Sequence, residues 1–129
     1  MSRARIAVAV LLLAAVGVAA WLLKPRPLFQ PETPRERTIA SVMMSDLTGL
    51  RNAEADYFRR RGRFTDIADS TIFLRTPGVG APLIKLDGEG WYASVRHSLL
   101  PGVVCAIAVA TSNPLRRSAP DGEAICGRA

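Results

Sequence analysis

The chain is poor in the residues from which catalytic and metal sites are usually built. Its 129 residues include one histidine and two cysteines, which are too few to make a zinc site on their own. No metal-ligand or nucleophile motif is present, and the length leaves no room for a two-domain enzyme. We therefore expect a single small domain with an appendage, and we expect that the protein is not an enzyme. We expect it to have no cofactor, no bound metal and no small-molecule substrate.

Charged residues are missing from one long segment near the amino terminus. Residues 6–23 are uncharged and almost wholly apolar, with arginines before them and Lys24 and Arg26 after them. A run of about 18 apolar residues is the lower limit for a membrane-spanning helix, and Trp21 lies where an interfacial aromatic belongs. The pattern predicts a cytoplasmic tail at residues 1–5 and a transmembrane anchor, or uncleaved signal, at residues 6–23.

A cleaved signal peptide is the alternative interpretation of the same segment. Small residues at positions 18–20 would suit cleavage after Ala20. However, the apolar run continues through Trp21, Leu22 and Leu23, which favours a retained anchor. Either interpretation exports the rest of the chain.

Prolines are concentrated just after the apolar run. Four of them fall between Pro25 and Pro34, where they lack amide donors and bias the preceding residues toward extended backbone. A membrane helix cannot continue through such a segment. Residues 24–34 are therefore predicted to form a proline-rich spacer, which leaves residues 35–129 as the exported domain.

A long helix is predicted at the start of that domain, over residues 35–61. Apolar residues recur there at spacings of three and four, the signature of an amphipathic helix, and Gly62 is suited to cap its end. Four acidic residues are assigned to the polar side of the helix. The apolar stripe is Ile39, Met43, Leu47, Leu50 and Tyr57, with Val42 and Phe58 beside it, and the acidic residues are Glu36, Asp46, Glu54 and Asp56.

The remainder of the chain is predicted to form strands and turns. Residues 83–86 precede a turn signal at 87–90, residues 91–96 alternate between apolar and polar, and residues 103–110 are apolar throughout. Pro101–Gly102 is a further turn signal, and residues 124–126 are suited to an edge strand. One long helix followed by a three- or four-stranded antiparallel sheet is an α+β fold.

The two cysteines, Cys105 and Cys126, each lie in or beside a predicted strand. An even pair in an exported domain with a small core predicts a disulfide, which would contribute about 3 kcal/mol through chain entropy. The bond would place the domain outside the cytoplasm. The expected location is the inner (cytoplasmic) membrane, as a single-pass protein whose carboxyl-terminal domain is periplasmic or extracellular.

Several segments occur in an order that is informative as a set. They are 41–47 and 50–58 in the helix, 61–65 after it, and then 76–79, 90–93 with His97, 105–107 and Cys126. Together they resemble type IV pilins and pilin-like proteins, including pseudopilins. The resemblance covers roughly residues 38–127 and implies a long helix packed on an antiparallel sheet with a disulfide-closed carboxyl-terminal region.

The sequence also departs from that family. The only early glycine is Gly17, and neither a phenylalanine nor an acidic residue follows it as in a prepilin cleavage site. Cleavage there would leave six apolar residues before Lys24, too few to span a membrane. We therefore expect a pilin-like domain on a different anchor, without standard filament assembly.

Two features are candidates for binding. A cluster of four arginines at the end of the helix could hold nucleic-acid phosphate or anionic lipid, although cations there also complement the helix dipole without any ligand. Tyr92 alternates with Trp91 along a strand, so one of the two is expected in the core and the other at the surface, and Tyr92 is the candidate partner contact. The arginines are Arg59, Arg60, Arg61 and Arg63.

Two functions follow as hypotheses. The first is a membrane-anchored accessory or assembly component of a pilus or type II secretion apparatus, whose partners are the membrane and proteins of that apparatus. The second is a cell-surface binding module for DNA or anionic lipid through the arginine cluster.

Overall fold

The computed structural model describes residues 28–129, which form one helix packed on a four-stranded antiparallel sheet. This confirms the predicted α+β class. A single 3-10 turn (Ala68–Ser70) lies in the long connection between the helix and the first strand. The elements are α1 (Pro34–Arg61), β1 (Leu83–Asp87), β2 (Gly90–His97), β3 (Leu100–Val109) and β4 (Ile125–Arg128).

Both ends of α1 are set by local sequence. Thr33 accepts a hydrogen bond from the Glu36 N–H at 3.1 Å, and the Glu36 carboxylate accepts the Thr33 N–H at 3.2 Å, which is a complete capping box. Pro34 follows at a position where the missing N–H costs nothing. At the other end Gly62 has a φ of 74° and donates its N–H to the Phe58 carbonyl, which ends the helix in the left-handed conformation that glycine favours.

The apolar stripe of α1 packs on the sheet as predicted, but two of its acidic residues do not lie on a polar side. Asp46 and Glu54 are both buried, so the assignment of all four acids to the solvent face was wrong for these two. Asp46 accepts hydrogen bonds from Thr76, and Glu54 accepts one from Thr65. Helical periodicity gives no information about such partners, because they lie outside the helix. The buried stripe consists of Ile39, Met43, Leu47, Leu50 and Tyr57.

The sheet is a meander in the order β1-β2-β3-β4. The β1–β2 hairpin closes at Asp87 and Gly90 around a two-residue turn, as the sequence predicted. Pro101 and Gly102, however, lie inside β3, and the chain reverses at residues 98–99 instead. The β2–β3 register shifts between Val95 and His97, so this start of β3 does not follow the regular ladder and tolerates a proline.

A disulfide joins Cys105 of β3 to Cys126 of β4, as predicted. The two residues face each other in the β3–β4 register, and both are buried. The bond therefore ties β4, the last strand of the sheet, to β3 at a paired position. The core between helix and sheet is contributed from the sheet side mainly by Trp91, Ala93, Val95, Val103 and Ile107.

The first described residues also join the sheet. Leu28 bridges Gly127, and Phe29 donates its N–H to the Cys126 carbonyl at 3.0 Å. The Phe29 side chain is buried in the core. The predicted transmembrane anchor, residues 6–23, lies outside the described residues. Within residues 28–129, none of the helices has the length and apolarity needed to cross a membrane.

Candidate functional site

The arginine cluster lies where the sequence placed it, at the end of α1, but two of its members are occupied. Arg59 and Arg60 both form ion pairs with Asp56, at 3.2 and 3.0 Å. The Arg60 guanidinium also lies 5.8 Å from the centre of the Tyr57 ring. These contacts hold two of the four cations against the helix, and the exposed pairs contribute little to stability.

The other two arginines of the cluster are more available. Arg61 and Arg63 are exposed, and neither forms an ion pair or hydrogen bond with any of residues 28–129. Arg61 ends α1, where a cation complements the helix dipole. Arg63 lines a cleft described below. The cluster therefore offers two unpaired cations rather than four.

Tyr92 and Trp91 take opposite faces of the sheet, as their alternation predicts. Trp91 is fully buried against α1, whereas Tyr92 is half-buried on the outer face. The partner of Tyr92 across the β1–β2 ladder is Lys85. The candidate partner contact is therefore part of an outer surface that also carries a cation.

The single histidine occupies a structural position. His97 is buried, and its Nδ1 accepts the Leu99 N–H at 3.0 Å. Gly78 packs directly on the ring, where a Cβ would lie 2.7 Å from Nε2, and its φ of 90° suits glycine. The ring is therefore packed between Gly78 of the α1–β1 connection and the turn that follows β2.

A cleft that the sequence did not predict opens between the end of α1, the following loop and the β1–β2 hairpin. Its volume is about 860 Å³. Three large apolar side chains that line it are unusually exposed: Phe58 at 44%, Ile67 at 59% and Leu86 at 50%. Exposed apolar groups that converge on one concavity indicate an interaction surface. Only Phe58 could have been suspected from sequence, because it lies beside the apolar stripe.

Two carboxylates of α1, Asp46 and Glu54, are buried, although both were predicted to lie on the polar side of the helix. Glu54 is fully buried; one of its oxygens accepts the Thr65 N–H at 3.1 Å, and the other has no partner among the described residues. Burial raises the pKa of Glu54, against a lowering contribution from the Thr65 hydrogen bond and a further rise from Asp66. Sequence reasoning has no signal for such a group, because its partner lies in a loop.

No group of side chains within residues 28–129 is arranged to hold a metal ion. A scan against protein-family models, a search of curated proteins and a search of solved structures each found no match to this chain.

Proposed function

We propose that this chain is a non-enzymatic, membrane-anchored, pilin-like protein that serves as an accessory or assembly component of a pilus or secretion apparatus. The observation that carries the proposal is the arrangement of residues 34–128. A helix of 28 residues lies across one face of an antiparallel meander whose last two strands are joined by a disulfide. This is the architecture that the resemblance over residues 38–127 implies.

Two independent features support the proposed location. The apolar run at residues 6–23 has the length and the charged flanks of an anchor. The disulfide between Cys105 and Cys126 suits an oxidising compartment outside the cytoplasm. Together they support an inner-membrane protein whose described domain is periplasmic or extracellular.

An accessory role is favoured over that of a major filament subunit. The prepilin cleavage pattern is absent around Gly17. In addition, Thr33 and Pro34 begin α1 as a capped helix, so α1 does not continue from the apolar run as one rod. A subunit that cannot present a continuous helix to a filament core is better suited to contacts through its globular domain.

Fractionation of the source cells tests the location. We expect the full-length protein in the membrane fraction, where it resists alkaline extraction. Its mass should not change on alkylation under denaturing conditions without reductant. Protease added to spheroplasts is expected to remove the carboxyl-terminal domain. A soluble cytoplasmic chain that takes up two alkyl groups would refute the topology.

Deletion of the gene tests the role. We expect fewer surface pili or less type II secretion product, restored by the wild-type chain. Complementation with Tyr92→Ala is expected to restore less than complementation with Ser94→Ala, a matched change on the same face of β2. Normal piliation and secretion in the deletion strain would contradict an assembly role.

Binding of DNA or anionic lipid is a second candidate, favoured by the two unpaired cations Arg61 and Arg63. If each contacts a phosphate, Arg61→Gln with Arg63→Gln should make the salt dependence of duplex DNA binding shallower by about 2 in log–log slope. The control is Arg35→Gln with Arg37→Gln, which removes the same charge from the exposed start of α1. Equal slopes for both double variants would exclude a specific site at the cluster.

A further inference from the structure

The chain enters the folded domain at one end of the sheet. Leu28 bridges Gly127 in antiparallel fashion, and Phe29 donates its N–H to the Cys126 carbonyl. The entering chain therefore runs opposite to β4 and comes from the end of the sheet at which β4 finishes. Because β4 is antiparallel to β3, the β2–β3 hairpin turns at that same end.

The turn of this hairpin projects well beyond the point of entry. Leu28 bridges Gly127, and Gly127 pairs with Val104 of β3. Leu99 precedes Val104 by five residues, in the direction of the turn. At a rise of about 3.3 Å per residue, Leu99 lies about 16 Å farther along the strand direction than Leu28. Residues 98–102, here called the hairpin tip, therefore overhang the place where the chain enters.

The link between the predicted anchor and Leu28 is about as short as this overhang. The apolar run, residues 6–23, measures about 27 Å as a helix, slightly less than the hydrocarbon core of a bilayer. All of it is needed to span the bilayer, so Leu23 would lie at the hydrocarbon boundary. Five Cα–Cα steps join Leu23 to Leu28, and in any conformation they reach at most about 17 Å.

These two lengths select the bilayer as the surface that the tip meets. With the tip toward the membrane and the strands tilted by as much as about 45° from the membrane normal, the tip lies no more than about 6 Å from the hydrocarbon boundary. The headgroup layer is itself about 5–7 Å thick. A second copy or another protein cannot fit between them at these tilts, because a packed helix or sheet needs about 10 Å.

The composition of the hairpin tip suits a membrane interface. Residues 98–102 are Ser-Leu-Leu-Pro-Gly and carry no charged side chain. The Leu99 N–H is held by His97 Nδ1 at 3.0 Å, while the Leu99 side chain is 58% exposed. An apolar side chain presented on a fixed turn gains free energy when it is buried in the headgroup region.

Cations flank the tip, and acids are absent from the strands around it. Arg96 and Arg128 are exposed, and neither forms an ion pair with residues 28–129. β2, β3 and β4 contain no acidic residue. At the start of α1, two acids offset two arginines. The acids that follow residue 70 lie in the turns at the opposite end of the strands, and they are Asp87, Glu89, Asp121 and Glu123.

We propose that the hairpin tip docks on the bilayer that holds the anchor. Leu99 inserts among the lipid headgroups, and Arg96 and Arg128 pair with the phosphates of anionic lipids. This deepens, and rests on, the proposed function, because it needs the anchor at residues 6–23. It assigns the membrane contact to an end of the domain that does not include the arginine cluster.

The docking also orients the rest of the domain. Phe64, which follows α1, contacts Trp91 at the start of β2, so α1 ends at the opposite end of the sheet from the tip. The helix has 28 residues and is about 40 Å long. Arg61, Arg63 and the cleft therefore face away from the membrane, where proteins of an apparatus can reach them.

NMR on the full-length protein in nanodiscs tests the docking. The discs contain phosphatidylcholine with phosphatidylglycerol and a trace of lipid that is spin-labelled at the headgroup. We expect the label to broaden the amide signals of Leu99 and Gly102 most and that of Gly62 least. In discs of phosphatidylcholine alone, the broadening at Leu99 should be smaller.

Two double variants separate the two arginine sites. Arg96→Gln with Arg128→Gln should weaken docking about fivefold for each arginine and reduce the broadening at Leu99 to its value in phosphatidylcholine discs. Arg61→Gln with Arg63→Gln removes the same charge at the other end of α1 and should leave the broadening unchanged.

A second pair of variants isolates the apolar contact. Leu99→Ser should weaken docking about fivefold, as expected for partial burial of one leucine side chain. Leu74→Ser is the control, because it makes the same change at a leucine that is 90% exposed on the α1–β1 connection, and it should have no effect. If Arg128→Gln disturbs the packing of Phe29, Arg96→Gln alone and Leu99→Ser decide the question.

Three results would overturn the proposal. The first is strongest broadening at Gly62, which would place the other end of α1 on the membrane. The second is broadening at Leu99 that neither the anionic lipid nor the Arg96 and Arg128 changes affect. The third is a tip that the label does not broaden, as would follow if a second copy or another protein covered it. A chain that alkali releases from the discs would refute the anchor as well, whereas a retained chain with a distant tip would refute the docking alone.

Discussion

Two carboxylates on α1 attach the helix to the connection that follows it. Asp46 accepts both the N–H and the hydroxyl of Thr76, at 2.8 and 2.6 Å, and Glu54 accepts the Thr65 N–H at 3.1 Å. The connection between α1 and β1 has little regular structure of its own. These side chains satisfy its backbone donors at two well-separated points, which is what a long connection needs in order to adopt one conformation.

Replacement of Asp46 should be among the more damaging changes on α1. Asp46→Ala removes two hydrogen bonds to a charged acceptor and leaves the Thr76 N–H without its partner, so we expect a loss of about 2–3 kcal/mol in unfolding free energy. Chemical denaturation measures it. Asp56→Ala, which removes an exposed acid of the same helix, should change stability by no more than about 0.5 kcal/mol. Equal effects of the two changes would show that the Thr76 contacts are unimportant.

Glu54 should give the stability of the domain a distinct dependence on pH. Its pKa is raised above the ordinary 4.5 mainly by burial, so the folded state binds this proton more tightly than the unfolded state does. The contribution of Glu54 to stability is therefore most favourable below pH 4.5 and is lost as the pH rises through the raised pKa. Glu54→Gln keeps an acceptor for Thr65 and does not ionise.

The expected result is a comparison of two stability–pH profiles. Glu54→Gln should gain on the wild type as the pH rises from 4.5 toward neutrality, with a difference on the order of 1 kcal/mol, the cost of one unsatisfied buried polar group. Denaturant unfolding at several pH values measures the difference. Profiles that run parallel over this range would mean that Glu54 does not titrate differently in the folded and unfolded states.

At the scale of elements, the Cys105–Cys126 disulfide holds the short strand β4 against β3. β4 has four residues, and the loop that leads to it contains no helix or strand. Reduction of the Cys105–Cys126 bond should therefore destabilise the domain by about 3 kcal/mol, because it releases a loop of this length in the unfolded chain.

Thermal unfolding with and without reductant measures the loss. The double variant Cys105→Ala with Cys126→Ala should melt at or below the temperature of the reduced wild type, since it adds a small cavity at two buried positions. A wild-type melt that reductant does not move would contradict a stabilising role for the bond.

The regular elements could be predicted because each has a short-range signature. The apolar spacing of α1, the turn at residues 87–90 and the alternation of β2 each lie within one segment, and the structure confirms all three. The turn predicted at Pro101–Gly102 was wrong, because the position of that turn is not decided within one segment. Both residues suit a turn, but β3 begins before them where the ladder shifts, a feature decided by the pairing of strands rather than by local sequence.

The candidate site was predicted less well, because its parts come together only in the folded chain. The arginine cluster is contiguous in sequence, and the structure shows Arg59 and Arg60 held by Asp56. The cleft joins Phe58, Ile67 and Leu86 from three separate segments, and the open edge of β1 follows from sheet order. Neither has a periodic or compositional signature that a sequence could display.

At the scale of the whole molecule, one edge of the sheet is covered by the described residues and the other is not. The edge at β4 is covered by Leu28 and Phe29, which pair with Gly127 and Cys126. The edge at β1 has no such cover among the described residues. The segment nearest the predicted membrane anchor thus closes one side of the sheet, and the side that remains open lies at the opposite end of the strand order.

Phe29 provides the test of this closure. Its ring is buried at 8% exposure and the Arg128 guanidinium lies 5.4 Å from its centre, so Phe29→Ala should cost about 3 kcal/mol through lost packing and a residual cavity. Phe58→Ala is the control, because the same truncation at a ring 44% exposed should cost clearly less. Unfolding of the full chain in denaturant compares the two. If Phe29→Ala proved as mild as Phe58→Ala, residues 28 and 29 would belong to the predicted spacer rather than to the folded domain, and both edges of the sheet would be open.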